Sequence, residues 1–142
     1  MAASIFLDTL GWLSLRDKRE SRHVDVSDLY RQIRSENKLI ATTDYVLDET
    51  ITLLFRRLPL LQAENSISLI DQAVIQGYIG IEYITASRFE SAKVLRRKYD
   101  DKPLISFTDL TTMVVMSERG IADIITADAH FSHVGMGFNL RP

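Results

Sequence analysis

Four carboxylates stand where they can serve one chemistry: Asp8, Glu49, Asp109 and Asp128. Asp8 ends a short apolar run, Asp128 follows another by one residue, Asp109 falls in the first turn of a helix, and Glu49 lies inside an amphipathic helix. The chain has no cysteine, so disulfides and thiolate metal sites are unavailable and any metal must be held by oxygen or imidazole. Carboxylates suit hard cations such as Mg2+ and Mn2+, which keep several waters and accept phosphate oxygens as further ligands. One or two such ions orient and deprotonate an attacking water and stabilise the leaving oxygen of an in-line displacement. The chemistry these residue types predict is phosphodiester hydrolysis.

The elements that must position them follow from periodicity. Strands are predicted over residues 4–7 (SIFL), 39–42 (LIAT), 79–84 (IGIEYI), 122–126 (ADIIT) and about 138–140. Ser27 or Asp25 can cap a helix reading SDLYRQIRSENK, with Leu29, Tyr30 and Ile33 on one face. Thr43 or Asp44 caps DYVLDETITLLFRRL, whose stripe is Leu47, Ile51, Leu54 and Leu58. Pro59 suits the first turn of a helix over about 60–76, which ends before Gly77. Ser87 begins SRFESAKVLRRKY, closed by the DDKP turn, and residues 104–107 lead into TDLTTMVVMSERG, which Gly120 terminates. Strands alternating with helices predict a doubly wound α/β fold. We expect a mostly parallel, twisted sheet of four to five strands, flanked by helices on both faces, in a single domain spanning residues 1–142. No run reaches the ~20 apolar residues of a membrane span, and the expected location is the cytoplasm.

In open parallel sheets, ligands bind beyond the C-terminal ends of the strands. Asp8, Asp109 and Asp128 converge on that edge, and Glu49, with Tyr45, Val46 and Leu53 as helical neighbours, is expected to face inward. Each acid also has a purely structural explanation. Asp109 is the third helical residue of a box capped by Ser106, Asp128 can cap the AHFSHV turn, Glu49 can pair with a basic side chain, and Asp8 can begin a turn. Their convergence favours a site, because four carboxylates at one sheet edge repel and raise one another's pKa unless cations neutralise them.

Neighbouring residues are weaker candidates. Asp48 points about 100° away from Glu49, and Asp123 starts its strand, at the wrong end for the crevice. His130 and His133 have zinc-like spacing but no second pair of ligands, and structural zinc needs four. Trp12 is open to a base-stacking role or to a place in the core or an interface. The net charge of −2 does not favour a polyanion. Basic residues nevertheless cluster at 16–22 and 93–98, and Arg56 and Arg57, two turns beyond Glu49, are the candidates for phosphate contacts.

Four pieces in order, IFLDT at 5–9, VLDET at 46–50, LISFTD at 104–109 and ITADAHF at 125–131, resemble the PIN domain, particularly the VapC-type toxin ribonucleases, over essentially the whole chain. By that resemblance Asp8, Glu49, Asp109 and Asp128 take the family's metal-binding acidic positions. Thr126 matches its recurring hydroxyl neighbour, placed to orient a carboxylate or water. The resemblance implies an endoribonuclease that uses Mg2+ or Mn2+, forms a homodimer and is held inactive by a cognate antitoxin. Leu10 and Leu110 depart from the small residues common after Asp8-Thr9 and Asp109, which bears on pocket shape rather than metal binding. A phospho-acceptor receiver domain fits poorly, since the third strand ends Tyr83-Ile84-Thr85 where that fold needs an Asp. The other alternative is a catalytically inactive PIN-like RNA-binding or scaffold module. Such relatives usually lack one or more of the acids, and all four are present here.

Overall fold

The structure, a computed structural model, describes residues 2–142. Strands β1 (Ala3–Leu7), β2 (Leu39–Thr43), β3 (Ile79–Glu82), β4 (Asp123–Ile125) and β5 (Asn139–Arg141) form one sheet in the order β3-β2-β1-β4-β5. All neighbours are parallel. Parallel neighbours need crossover connections. Helices α1 (Thr9–Arg16) and α2 (His23–Ser35) join β1 to β2, and α3 (Asp44–Arg57) and α4 (Leu60–Ile75) join β2 to β3. Helices α5 (Ala86–Lys98) and α6 (Phe107–Arg119) join β3 to β4, and the one-turn α7 (His130–His133) precedes β5. Right-handed crossovers put α1 to α4 on one face of the sheet and α5 to α7 on the other. This is the predicted doubly wound α/β fold.

A strand covered on both faces has no solvent side, which is why buried apolar residues dominate the central strands. Ile5, Phe6, Leu7, Ile40, Ala41, Ile124 and Ile125 are all buried. From β1 the chain first builds outward through β2 and β3, then crosses back to lay β4 on the other flank of β1. The direction of winding reverses between β1 and β4, and a crevice opens beyond their C-terminal ends.

Three helix starts are capped by side chains, including α5, where Thr85 Oγ1 accepts from the Arg88 amide, and one helix end is set by a glycine. Thr43 Oγ1 accepts from the Val46 amide to cap α3, Ser106 Oγ accepts from the Asp109 amide to cap α6, and Gly120 ends α6 in the left-handed region at φ 66°. Elsewhere the sequence reading needs correction. Helix α1 was not anticipated, because TLGWLSLR is short and carries a glycine, a poor helix former. Helix α2 starts at His23 rather than at Ser27 or Asp25, and its N-cap Arg22 makes no side-chain cap bond. Buried Val26 and Ser27 draw the helix start back against the core. On α3 the buried stripe is Val46, Thr50 and Leu54, not Leu47, Ile51, Leu54 and Leu58. A buried threonine takes the core position, and Ile51 is left exposed. No helix among the described residues is long and apolar enough to cross a membrane.

Candidate active site

The site is assembled from the ends of β1 and β4 and the start of α6. Asp8 is the first residue beyond β1 and the N-cap position of α1. Its amide donates to Ile125 O at 3.3 Å, which fastens it to the end of β4, and its carbonyl accepts from the Trp12 amide at 2.9 Å. Its carboxylate is 3% exposed. Thr126, immediately after β4, donates from Oγ1 to Asp8 Oδ2 at 2.9 Å, and the same oxygen accepts from the Asp128 amide at 3.1 Å. One buried hydroxyl therefore orients one acid and fixes the loop that carries the next.

Asp128 is held a second time, because its Oδ1 accepts from the His130 amide at 2.9 Å. Asp109 enters from the opposite face of the sheet on the first turn of α6 and is 9% exposed. Ligand atoms of Asp109, Asp128 and His130 all lie within 4.8 Å of one another. His130 Nδ1 lies 3.0 Å from Asp128 Oδ1 but is not aligned to hydrogen bond with it, and remains a buried nitrogen without a hydrogen-bond partner.

Burial and mutual repulsion make this cluster costly without a cation. Desolvation raises the Asp8 carboxyl to about 6, partly offset by the Thr126 hydrogen bond, with smaller upward contributions from the charges of Asp128 and Glu49. Desolvation, followed by the charges of Asp8 and Asp128, pushes Asp109 up to about 8. A hydrogen bond to Asp128 also favours the protonated form of Asp109. A divalent cation removes the need for that proton. The donor set, carboxylate oxygens and one imidazole nitrogen that lacks a hydrogen-bond partner, fits a divalent cation.

Glu49 departs from expectation. Its side chain is exposed, because it lies a helical step of about 100° off the Val46, Thr50 and Leu54 stripe. It stands at the rim, close enough for its charge to act on Asp8. Asp48 is exposed, as expected, and Asp123 sits at the far end of β4, where it pairs with Arg141 at 3.1 Å. Trp12 is a core residue, 2% exposed, whose Nε1 donates to Thr42 Oγ1 at 3.3 Å. The residue that sequence reasoning missed is His130, weighed only as half of a zinc pair. The available signal was its place two residues after Asp128 in the same turn.

The two basic candidates divide. Arg57 is engaged, with Nη1 2.6 Å from Glu20 Oε1 and its carbonyl accepting from Arg19 at 2.9 Å. Arg56 is exposed and has no ion-pair partner among the described residues. Two cavities of about 450 and 630 Å3 lie among α1, α2 and α4 and between the segment after α1 and the α3–α4 turn, and none of the four acids lines either one. The acids occupy an open crevice instead.

Comparison with known proteins places this geometry. Residues 5–136 match the PIN domain family. The 23S rRNA-specific endonuclease VapC20 of Mycobacterium tuberculosis is 30% identical over 138 residues, 97% of this chain and 98% of that protein. The crystal structure of M. tuberculosis VapC20, described as a sarcin-ricin loop cleaving toxin, matches with a TM-score of 0.81 over 98% of this chain and 100% of that one. Two further structures share the fold alone. VapBC2 from Rickettsia felis, bound to promoter DNA, has 16% identity and a TM-score of 0.71 over 96% of each chain. DNA-bound VapBC from Salmonella typhimurium has 11% identity and a TM-score of 0.69 over 98% of this chain and 97% of that one. Matched along nearly its whole length, and carrying its acids at the strand ends, the chain belongs to the PIN domain family.

Proposed function

We propose that this protein is a Mg2+- or Mn2+-dependent endoribonuclease and the toxin of a toxin-antitoxin pair, with Asp8, Glu49, Asp109 and Asp128 as its metal-holding acids. The observation that carries the reading is the convergence of Asp109, Asp128 and His130 ligand atoms within 4.8 Å, beside an Asp8 that is buried and oriented by Thr126. A bound divalent cation supplies an activated water and neutralises charge on the phosphate. The chain's own residues set the geometry. Thr126 keeps an Asp8 oxygen turned toward it and holds the Asp128 loop in place. Helix α6, capped by Ser106, brings Asp109 to the pair from the other face of the sheet. Glu49, exposed at the rim, faces the solvent from which water and RNA arrive.

Because the 30% identical relative is named for 23S rRNA, ribosomal RNA is the first substrate to try. Asp109→Asn keeps the shape of the side chain and removes a charged ligand. RNA cleavage should fall by several powers of ten, since activation of water by metal accounts for several kcal/mol of barrier. Chelation by EDTA should abolish it. Full activity in excess EDTA, or unchanged cleavage by Asp109→Asn, overturns the metal mechanism, whereas no cleavage of any RNA with Mn2+ present favours a binding or scaffold module.

A further inference from the structure

Beside the acids, on the side of α7, lies a separate notch of about 280 Å3. One wall is the turn that follows α5, with Pro103, Leu104 and Ile105, and the other is the pair of imidazoles His130 and His133. Leu104 is 83% exposed, an unusual position for a large apolar side chain. The two rings stand edge to face with centroids 6.3 Å apart. His130 belongs to both places, since its Nδ1 lies 3.0 Å from Asp128 Oδ1.

The walls are fixed to each other. Arg96 spans the turn, donating to the carbonyls of Tyr99, Lys102 and Ile105, and the Tyr99 hydroxyl donates to Val134 O at 3.1 Å, which ties the turn to the end of α7. Arg96 is thus spent on backbone and the notch is preorganised. Lys102 at its mouth is already paired with Asp101 at 3.0 Å, so the notch offers no free cation for a phosphate. What it offers is a mostly apolar lining, an exposed imidazole at His133 and a few polar groups.

We propose that this notch seats an unpaired base of the RNA, adjacent to the phosphate that is cut, with the base stacked on His133 and against Leu104. The inference rests on the nuclease reading above. Unpaired bases splayed from loops are recognised by stacking on aromatic rings, histidine included, with their edges left to polar groups. The shared residue His130 makes the notch continuous with the site for the scissile phosphate. Such a pocket selects for single-stranded or looped RNA, because a base held in a duplex cannot enter it.

The test uses His133→Ala, His133→Phe and Leu104→Ser, all at exposed positions, with folding checked by circular dichroism. Ten-nucleotide single-stranded RNAs, each carrying one 2-aminopurine at a different position, are titrated into protein that also carries Asp109→Asn to prevent cleavage. Stacking quenches the fluorophore at one position. His133→Ala should remove that quenching and weaken binding roughly tenfold, and His133→Phe should restore both. In the protein with Asp109 intact, His133→Ala should raise KM while leaving kcat within about twofold. Unchanged quenching and affinity in His133→Ala and Leu104→Ser, with cleavage by the parent protein intact, overturns the base pocket and leaves the nuclease standing. Loss confined to antitoxin binding overturns it in favour of a protein-docking role. A parent protein that neither binds nor cuts any of these RNAs, nor ribosomal RNA, overturns both readings.

Discussion

At the residue scale the cluster is poised against itself. Asp8 and Asp109 have folded pKa values raised to about 6 and about 8, above the 3.8 of an unperturbed aspartate. Between these limits the folded state holds more protons than the unfolded state, so stability falls as pH rises. For the metal-free protein the loss begins near pH 4, is complete for Asp8 above pH 6, and continues for Asp109 to about pH 8. Asp8 alone accounts for a cost on the order of 3 kcal/mol at the alkaline end. Thermal unfolding followed in EDTA should therefore show Tm decreasing from pH 5 to pH 8, and Asp109→Asn should raise Tm at pH 8 even as it removes activity. Added Mn2+ should reverse the trend, since binding grows tighter as the ligands lose protons. A metal-free Tm that climbs over this range, or an Asp109→Asn protein less stable than its parent at pH 8, contradicts the account. The three aspartates were legible in the sequence because each follows a strand or opens a helix, so position along the chain almost fixes position in space. Glu49 was not so legible. Inside a helix a rotation of one residue decides whether a side chain is buried, and the buried Thr50 shifted the face.

At the element scale the least legible piece is the one that frames Asp8. Helix α1 has only 8 residues, and its glycine reads as a breaker. In the fold that glycine is required, because a Cβ at Gly11 would lie 2.3 Å from Ile125 O and 2.7 Å from Leu7 Cδ1. Only a residue without a side chain lets α1 pass this close to the ends of β1 and β4, and no local pattern reports a contact made with residue 125. Gly11→Ala should push α1 off the sheet and cost about 1–3 kcal/mol, the usual range for overpacking. It should also lower activity by disturbing the adjoining Asp8. Tm and RNA cleavage measured together check this, and a Tm equal to the parent's would show that the helix yields freely. The far end of α3 makes a second prediction. Arg57 serves as a tether to Glu20, whereas Arg56 is free for phosphate. If Arg56 contacts RNA, Arg56→Ala should flatten the salt dependence of binding by about one unit of slope, with Arg57→Ala acting mainly on Tm. Equal salt slopes in Arg56→Ala and its parent would return Arg56 to a solvated face.

At the scale of the whole molecule, the sheet accounts for one face of each helix pair and leaves a second apolar face in water. On α4, Leu60, Leu61, Leu69 and Ile75 are exposed, and on α3 so are Ile51 and Phe55. Ile67, on the same helix, is half-buried. Monomeric proteins rarely leave so many large apolar groups on two adjacent helices, and contiguous exposed patches mark interaction surfaces. A symmetric dimer covers such a patch with a copy of itself, and an antitoxin covers it with an apolar helix. The two arrangements are separable by experiment. Inhibition needs more than coverage, because an inhibitor must also keep RNA from the acids. An Arg or Lys from the partner, reaching the carboxylates in place of metal, does so with a charge-assisted hydrogen bond and relieves the same repulsion that the cation relieves. Sedimentation of the purified chain at micromolar concentration should give a dimer, and Leu61→Glu, at a position 79% exposed, should shift it to monomer without lowering Tm. Expression alone should slow growth of the host, Asp109→Asn should abolish the effect, and co-expression of the adjacent reading frame should restore growth. A monomer at micromolar concentration removes the dimer, and harmless expression of a protein that cleaves RNA with Mn2+ removes the toxin role while leaving the nuclease in place.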